Sequence, residues 1–153
     1  MRLNSKLLLS LLLLPPTLQA QTQTLPIELN ADHGEYDVQK GIATYTGNVK
    51  ISQGAMTLQG DKITIRLNNS QVEHIEAWGN LATFHYQPKQ DPAIDGEGQH
   101  LIYDLESATI TIDKQAHVRQ GEHHTQGERL TYHLKKEIVQ GSRVHMTFQP
   151  KTS

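Results

Sequence analysis

The stretch Gln59-Gly60-Asp61-Lys62-Ile63-Thr64 returns 67 positions later as Gln126-Gly127-Glu128-Arg129-Leu130-Thr131. The same offset places Tyr36-Asp37 on Tyr103-Asp104 and Gln53-Gly54 on Gln120-Gly121 without a gap. Over positions 32–72 and their counterparts 99–139, 11 of 41 pairs are identical, and others exchange like for like, as Asp61 with Glu128 and Lys62 with Arg129. Self-similarity at a fixed period marks a structural unit that buries its apolar face only when a second unit completes it.

The repeated unit alternates with period two. Lys62-Ile63-Thr64-Ile65-Arg66-Leu67, Arg129-Leu130-Thr131-Tyr132-His133-Leu134 and Arg143-Val144-His145-Met146-Thr147-Phe148 each read as a half-buried strand. Between such runs stand Lys40-Gly41, Thr46-Gly47-Asn48, Gln53-Gly54, Gln59-Gly60 and Gln140-Gly141, which punctuate the chain as turns do. The reading is an all-β, antiparallel fold of about sixteen short strands built from two repeats. A finer echo, a small residue followed by a polar one and an apolar strand, recurs at Gly60-Asp61, Gly98-Gln99 and Gly127-Glu128, with Ala31-Asp32 as a degenerate member. The segment from Gln87 to Gly98, with Pro88, Pro92, Gly96 and Gly98, is the expected looser connection between the halves.

Arg2 and Lys6 precede an apolar run from Leu7 to Leu14, and Leu18-Gln19-Ala20 ends in a small residue, the layout of a cleaved signal peptide over residues 1–20. The run is too short to span a bilayer as a helix. Residues 21–153 are then expected to form one exported domain. Removing Arg2 and Lys6, with no acid in the leader, leaves 12 Lys+Arg against 16 Asp+Glu, a balance of −4 that disfavours nucleic acid as a partner. The chain has no Cys, so neither disulfides nor a thiolate metal site can hold it together. With 36% hydrophobic residues, a thin sandwich or open sheet fits better than a thick core.

Chemistry-bearing patterns are weak. His117, His123 and His124 cluster in sequence, but no HxH or HExxH spacing occurs, and His100, His133 and His145 fall on polar alternate positions of expected strands, so no metal site is assigned. Asp91 with Asp95, or Glu97 with Asp104, could serve a glycosidase as an acid pair; beside Gly and Pro, turn chemistry is the commoner reason for them. No GxSxG surrounds any serine, and Asn68-Asn69-Ser70, though a sequon, reads as a hairpin turn. No catalytic residue and no cofactor is assigned. What remains is an apolar stripe that includes Ile27, Leu29, Val49, Ile51, Ile63, Ile65, Phe84, Leu101, Tyr103 and Leu105. It can fill a sandwich core, or it can line a groove for an apolar ligand, and periodicity does not separate the two.

The runs Ile27-Glu28-Leu29-Asn30-Ala31-Asp32, Tyr45-Thr46-Gly47-Asn48-Val49-Lys50-Ile51-Ser52-Gln53-Gly54, Ile75-Glu76-Ala77-Trp78-Gly79-Asn80 and Gly98-Gln99-His100-Leu101-Ile102-Tyr103-Asp104 resemble the OstA-like (LptA) family, over about Pro26 to Pro150. The resemblance implies a twisted, V-shaped β-jellyroll, open along one edge, in the periplasm of a Gram-negative bacterium. It implies a lipopolysaccharide transport protein, not an enzyme, whose apolar groove holds the acyl chains of the lipid A part. It further implies end-to-end self-association, an inner-membrane partner of the LptC type and an outer-membrane translocon of the LptD type. Phe84, Tyr103 and Leu105 match positions facing that interior, and Ile27 and Leu29 fall in the N-terminal strand; Val49, Ile51, Ile63, Ile65 and Leu101 join them by alternation. A lipid with several long chains needs such a path, because each exposed methylene costs roughly 0.8 kcal/mol in water.

Overall fold

The computed structural model describes residues 25–150; the expected leader, residues 1–20, lies outside them. Ten strands and no helix make up the described residues: β1 (Glu28–Asn30), β2 (His33–Asp37), β3 (Ile42–Gln53), β4 (Met56–Asn68), β5 (Gln71–Tyr86), β6 (Ile94–Asp104), β7 (Thr109–Gln120), β8 (His123–His133), β9 (Ile138–Ser142) and β10 (His145–Thr147). They form one antiparallel sheet in the order β1-β3-β4-β5-β6-β7-β8-β10, with β2 also on β3 and β9 also on β8.

The sequence repeat is a repeat of register. Within the β3–β4 hairpin Ile42 pairs with Arg66 and Gln53 with Met56; adding 67 gives Thr109 with His133 and Gln120 with His123, the pairs of the β7–β8 hairpin. The interruption of pairing between Thr46 and Val49 recurs between Asp113 and Ala116. The conserved Tyr-Asp pair explains how each unit starts. Asp37 accepts a hydrogen bond from the Lys40 amide at 3.0 Å, and Asp104 accepts one from the Ser107 amide at 2.8 Å, so each aspartate closes the turn that leads into its hairpin.

Pairing slips at one level of the sheet in every long strand: at Gly47-Asn48, Gly60-Asp61, Gly79 to Leu81, Gly98-Gln99, Lys114-Gln115 and Gly127-Glu128. Ala31-Asp32, between β1 and β2, and Arg143-Val144, between β9 and β10, continue the same line. Such a line of irregularities bends strands and raises twist, so the sheet folds across it into two facing halves. At Gly60 the bend brings the backbones close, and a Cβ there would sit 2.8 Å from the Trp78 carbonyl oxygen. The expected sixteen segments are thereby reconciled with ten strands, because β3 to β8 each carry two segments joined through the bend. Gly60, Gly98 and Gly127, read from the sequence as strand starts, are corners in mid-strand. The expected loose connection also contracts: only residues 87–93 lie between β5 and β6, while Ile94, Gly96 and Gly98 belong to β6.

Among the rows of directly paired residues that face inward, three cross the sheet from edge to edge. Leu29, Ile51, Leu58, Phe84, Gly96, Val118, Thr125 and Met146 cross one half from edge to edge. Tyr36, Ala43, Ile65, Ile75, Tyr103, Ile110, Tyr132 and Val139 cross the other. Beside this second row runs a third: Gly34, Tyr45, Ile63, Ala77, Leu101, Ile112, Leu130 and Gly141. The halves meet where the Phe84 ring lies 6.1 Å from that of Tyr132, and where Tyr103 donates to the Gln53 side chain. Burying each large apolar side chain contributes about 1.5–3 kcal/mol, and this interior is the main source of stability in a chain without disulfides.

Candidate functional site

Of the ten residues expected to line a groove, Val49, Ile51, Ile63, Ile65, Phe84, Leu101 and Tyr103 are buried in one continuous cluster. Ile27, Leu29 and Leu105 are partly buried and pack against it. The structure thus brings all ten to one interior, and that interior is filled by its own side chains over most of its length. Gly96 shows how closely, since a Cβ there would collide with the Phe84 ring.

The interior reaches solvent in two kinds of place. Between the lips of the folded sheet is a cleft of about 810 Å³, lined on its apolar side by Leu25, Ile27, Val72 and Leu105. Arg66 and His74 stand with Glu73 and Asp104 on its polar side. The Gln53 side chain donates to the Leu25 carbonyl oxygen at 3.1 Å, holding the segment before β1 across this mouth. At the C-terminal edge, Val144, Met146 and Phe148 are exposed, Met146 being the end of the first inward row. Tyr36 and Val38 are exposed at or beside the opposite edge.

Leu58, Met56, Ile75, Ile94 and Val72 belong to the interior or its mouth and were missing from the expected set. Met56-Thr57-Leu58 carries the alternation that could have found the first two. Nothing local marks Val72, whose place depends on the turn at Asn69 and Ser70, where φ is 49° and 64°.

The polar groups considered for chemistry have structural partners. Asp95 joins His85 at 2.7 Å and Arg119 at 2.8 Å, and Glu97 stands 4.0 Å from His117. Asp104 takes both the amide and the hydroxyl of Ser107, which hold its carboxyl below the ordinary carboxylate range. Among the described residues no three His, Asp or Glu side chains converge as a metal site. Tyr132 is fully buried with no partner for its hydroxyl, and burial pushes its phenol well above the ordinary value of 10.

A single antiparallel sheet folded along a corner, built from a duplicated hairpin, with apolar rows that run out at both edges, defines an edge-open β-jellyroll of repeated units. Residues 28–138 match the family model described as LptA/(LptD N-terminal domain) LPS transport protein, and the chain belongs to that family. It is 30% identical over 120 residues to the lipopolysaccharide export system protein LptA of Haemophilus influenzae, covering 76% of this chain and 70% of that one. To LptA of Escherichia coli K12 it is 26% identical, covering 75% of this chain and 63% of the other. Among solved structures, that of LptH, the LptA-homologous periplasmic component of the lipopolysaccharide transport device of Pseudomonas aeruginosa, superposes with a TM-score of 0.79 at 26% identity, over 82% of this chain and 96% of that one.

Proposed function

We propose that this protein is a periplasmic, non-enzymatic carrier that shields the acyl chains of lipopolysaccharide between the two halves of its sheet. The observation that carries the reading is the inward rows, which are apolar apart from Thr125 and the glycines and extend from one sheet edge to the other. A closed core needs no apolar residue at its rim, yet Met146, Val144 and Phe148 stand exposed there. Acyl chains enter by parting the lips at Leu25, Ile27, Val72 and Leu105 and then displace the contacts of Phe84 with Tyr132 and of Tyr103 with Gln53. Loading exchanges protein–protein apolar contact for protein–lipid contact, which keeps its free-energy cost small.

The short edges present unpaired backbone groups for strand addition. Through them copies join end to end, and the row is carried on into an inner-membrane partner of the LptC type and an outer-membrane translocon of the LptD type. Energy for movement comes from outside the chain.

Photocrosslinking amino acids at Phe84 and Tyr103 test the reading in cells. Capture of lipopolysaccharide at both, and not at the outward Thr64, is the expected result; normal expression and folding with no capture refutes it. A solid-core adaptor that binds only protein is separated by Val72→Asp at the half-buried mouth: the fold survives on either reading, and only a carrier loses lipid.

A further inference from the structure

The half-sheet that carries Phe84 holds a trough of about 620 Å³ whose lining includes Phe84, Gly96, Val118 and Thr125 of the first inward row. Its walls are two outward rows in direct register, Thr83-Glu97-His117-Gln126-His145 and His85-Asp95-Arg119-His124-Thr147, running across β5, β6, β7, β8 and β10. Charge is sorted across it. The acids, Asp95 and Glu97, stand on β6, while the imidazoles and the guanidinium of β7, β8 and β10 gather on the other side.

The duplication supplies a control for what the fold itself requires. His117, Arg119 and His124 occupy the positions held in the first hairpin by Lys50, Ser52 and Thr57, and the two hairpins share register pair for pair. Strand pairing therefore does not need a histidine, an arginine and a histidine there. Nor does ion pairing use them all: Arg119 and His85 share Asp95, and His117 lies near Glu97, while among the described residues His124 and His145 have no ion-pair partner.

We propose that this trough binds a phosphorylated saccharide. The volume suits one or two sugar rings. Arg119, His117, His124 and His145 surround the place where a phosphoryl group would lie, with a charge-assisted hydrogen bond from Arg119 and N–H donors from the imidazoles. Asp95, bonded to Arg119 and His85, and Glu97, beside His117, are acceptors for sugar hydroxyls, with Thr83, Gln126 and Thr147 as neutral partners. A metal is the poorer ligand, because among the described residues no three His, Asp or Glu side chains converge to hold one. Tyr103 of the proposed acyl path does not line the trough, so the site can stand or fall alone.

Glucosamine 6-phosphate, which carries no acyl chain, is the probe, followed through the imidazole signals of the folded protein by NMR. Saturable shifts of His117, His124 and His145 are expected. The double variant Arg119→Ser, His124→Thr installs the first hairpin's residues and so keeps a compatible fold. It should weaken binding at least about tenfold. Glucosamine, lacking the phosphate, should not bind. The proposal is overturned if no saturable shift appears at millimolar probe, if inorganic phosphate binds as tightly as the sugar phosphate, or if only an acylated headgroup binds and the double variant holds it equally well. Lipid crosslinking at Tyr103, which does not line the trough, is read independently of all these outcomes.

Discussion

At the corner of β7, Lys114 and Gln115 both adopt left-handed backbone, with φ of 60° and 57°, where the first unit has Gly47 and Asn48 at 79° and 48°. The conformation is imposed by the bend, since neither Lys nor Gln favours it. An L-residue held there costs roughly 1–2 kcal/mol, which glycine avoids. Glycine also loses more backbone freedom on folding, by roughly 0.5–1 kcal/mol. Lys114→Gly should therefore stabilise the protein by about 0.5–1 kcal/mol, a rise of about 2–4 °C in Tm for a domain of this size. Lys114 makes no ion pair among the described residues, so its charge does not enter the balance. The reciprocal Gly47→Lys should destabilise by more than about 1–2 kcal/mol, combining backbone strain with a collision: a Cβ there would sit 2.5 Å from Asp32 Oδ2 and 2.9 Å from its Cβ. Thermal unfolding followed by circular dichroism, with urea unfolding to check that the m-value is unchanged, measures both. A lower Tm for Lys114→Gly at constant m, or equal effects of the two changes, would refute the reasoning that the corner is one device used twice and strained in its second copy.

Three further changes probe the interior and its turns. Phe84→Ala should cost about 3–5 kcal/mol by urea unfolding if the interior is filled as seen; a loss under about 1 kcal/mol would mean that Phe84 faces open space. Tyr132→Phe should be neutral or stabilising by urea unfolding, because it removes a buried hydroxyl that has no partner; a loss of more than about 1 kcal/mol would show that the hydroxyl is bonded. Hydrogen bonds from the Ser107 hydroxyl and amide hold the Asp104 carboxyl below its ordinary 3.8. The stability this contributes is present above the unfolded-state value and is lost as pH falls through the lower folded-state one. Ser107→Ala should move Asp104 back up in a carboxyl-carbon NMR titration, and no movement would show that the backbone amide alone sets it.

The sequence by itself determined the class of secondary structure, the unit and its period. Alternation identifies which residues share a face because successive strand side chains point to opposite sides, so Ile63, Ile65, Leu101 and Tyr103 could be grouped from spacing alone. The offset of 67 carried even the register, down to the turn aspartates. Spacing cannot say which two faces meet, since that depends on where a sheet bends. Gly60, Gly98 and Gly127 are visible as a recurring signal that reads as strand starts when the bend is unknown, and Lys114-Gln115 gives no signal, because its conformation is forced by neighbouring strands and not chosen by its own residues. Only the tertiary structure decided that Phe84 would meet Tyr132, that Leu25 and Val72 would share a mouth, and that His85, His117, His124 and His145, from four strands, would stand around one trough. Each of these contacts crosses strands or halves, and such long-range meetings are settled by packing.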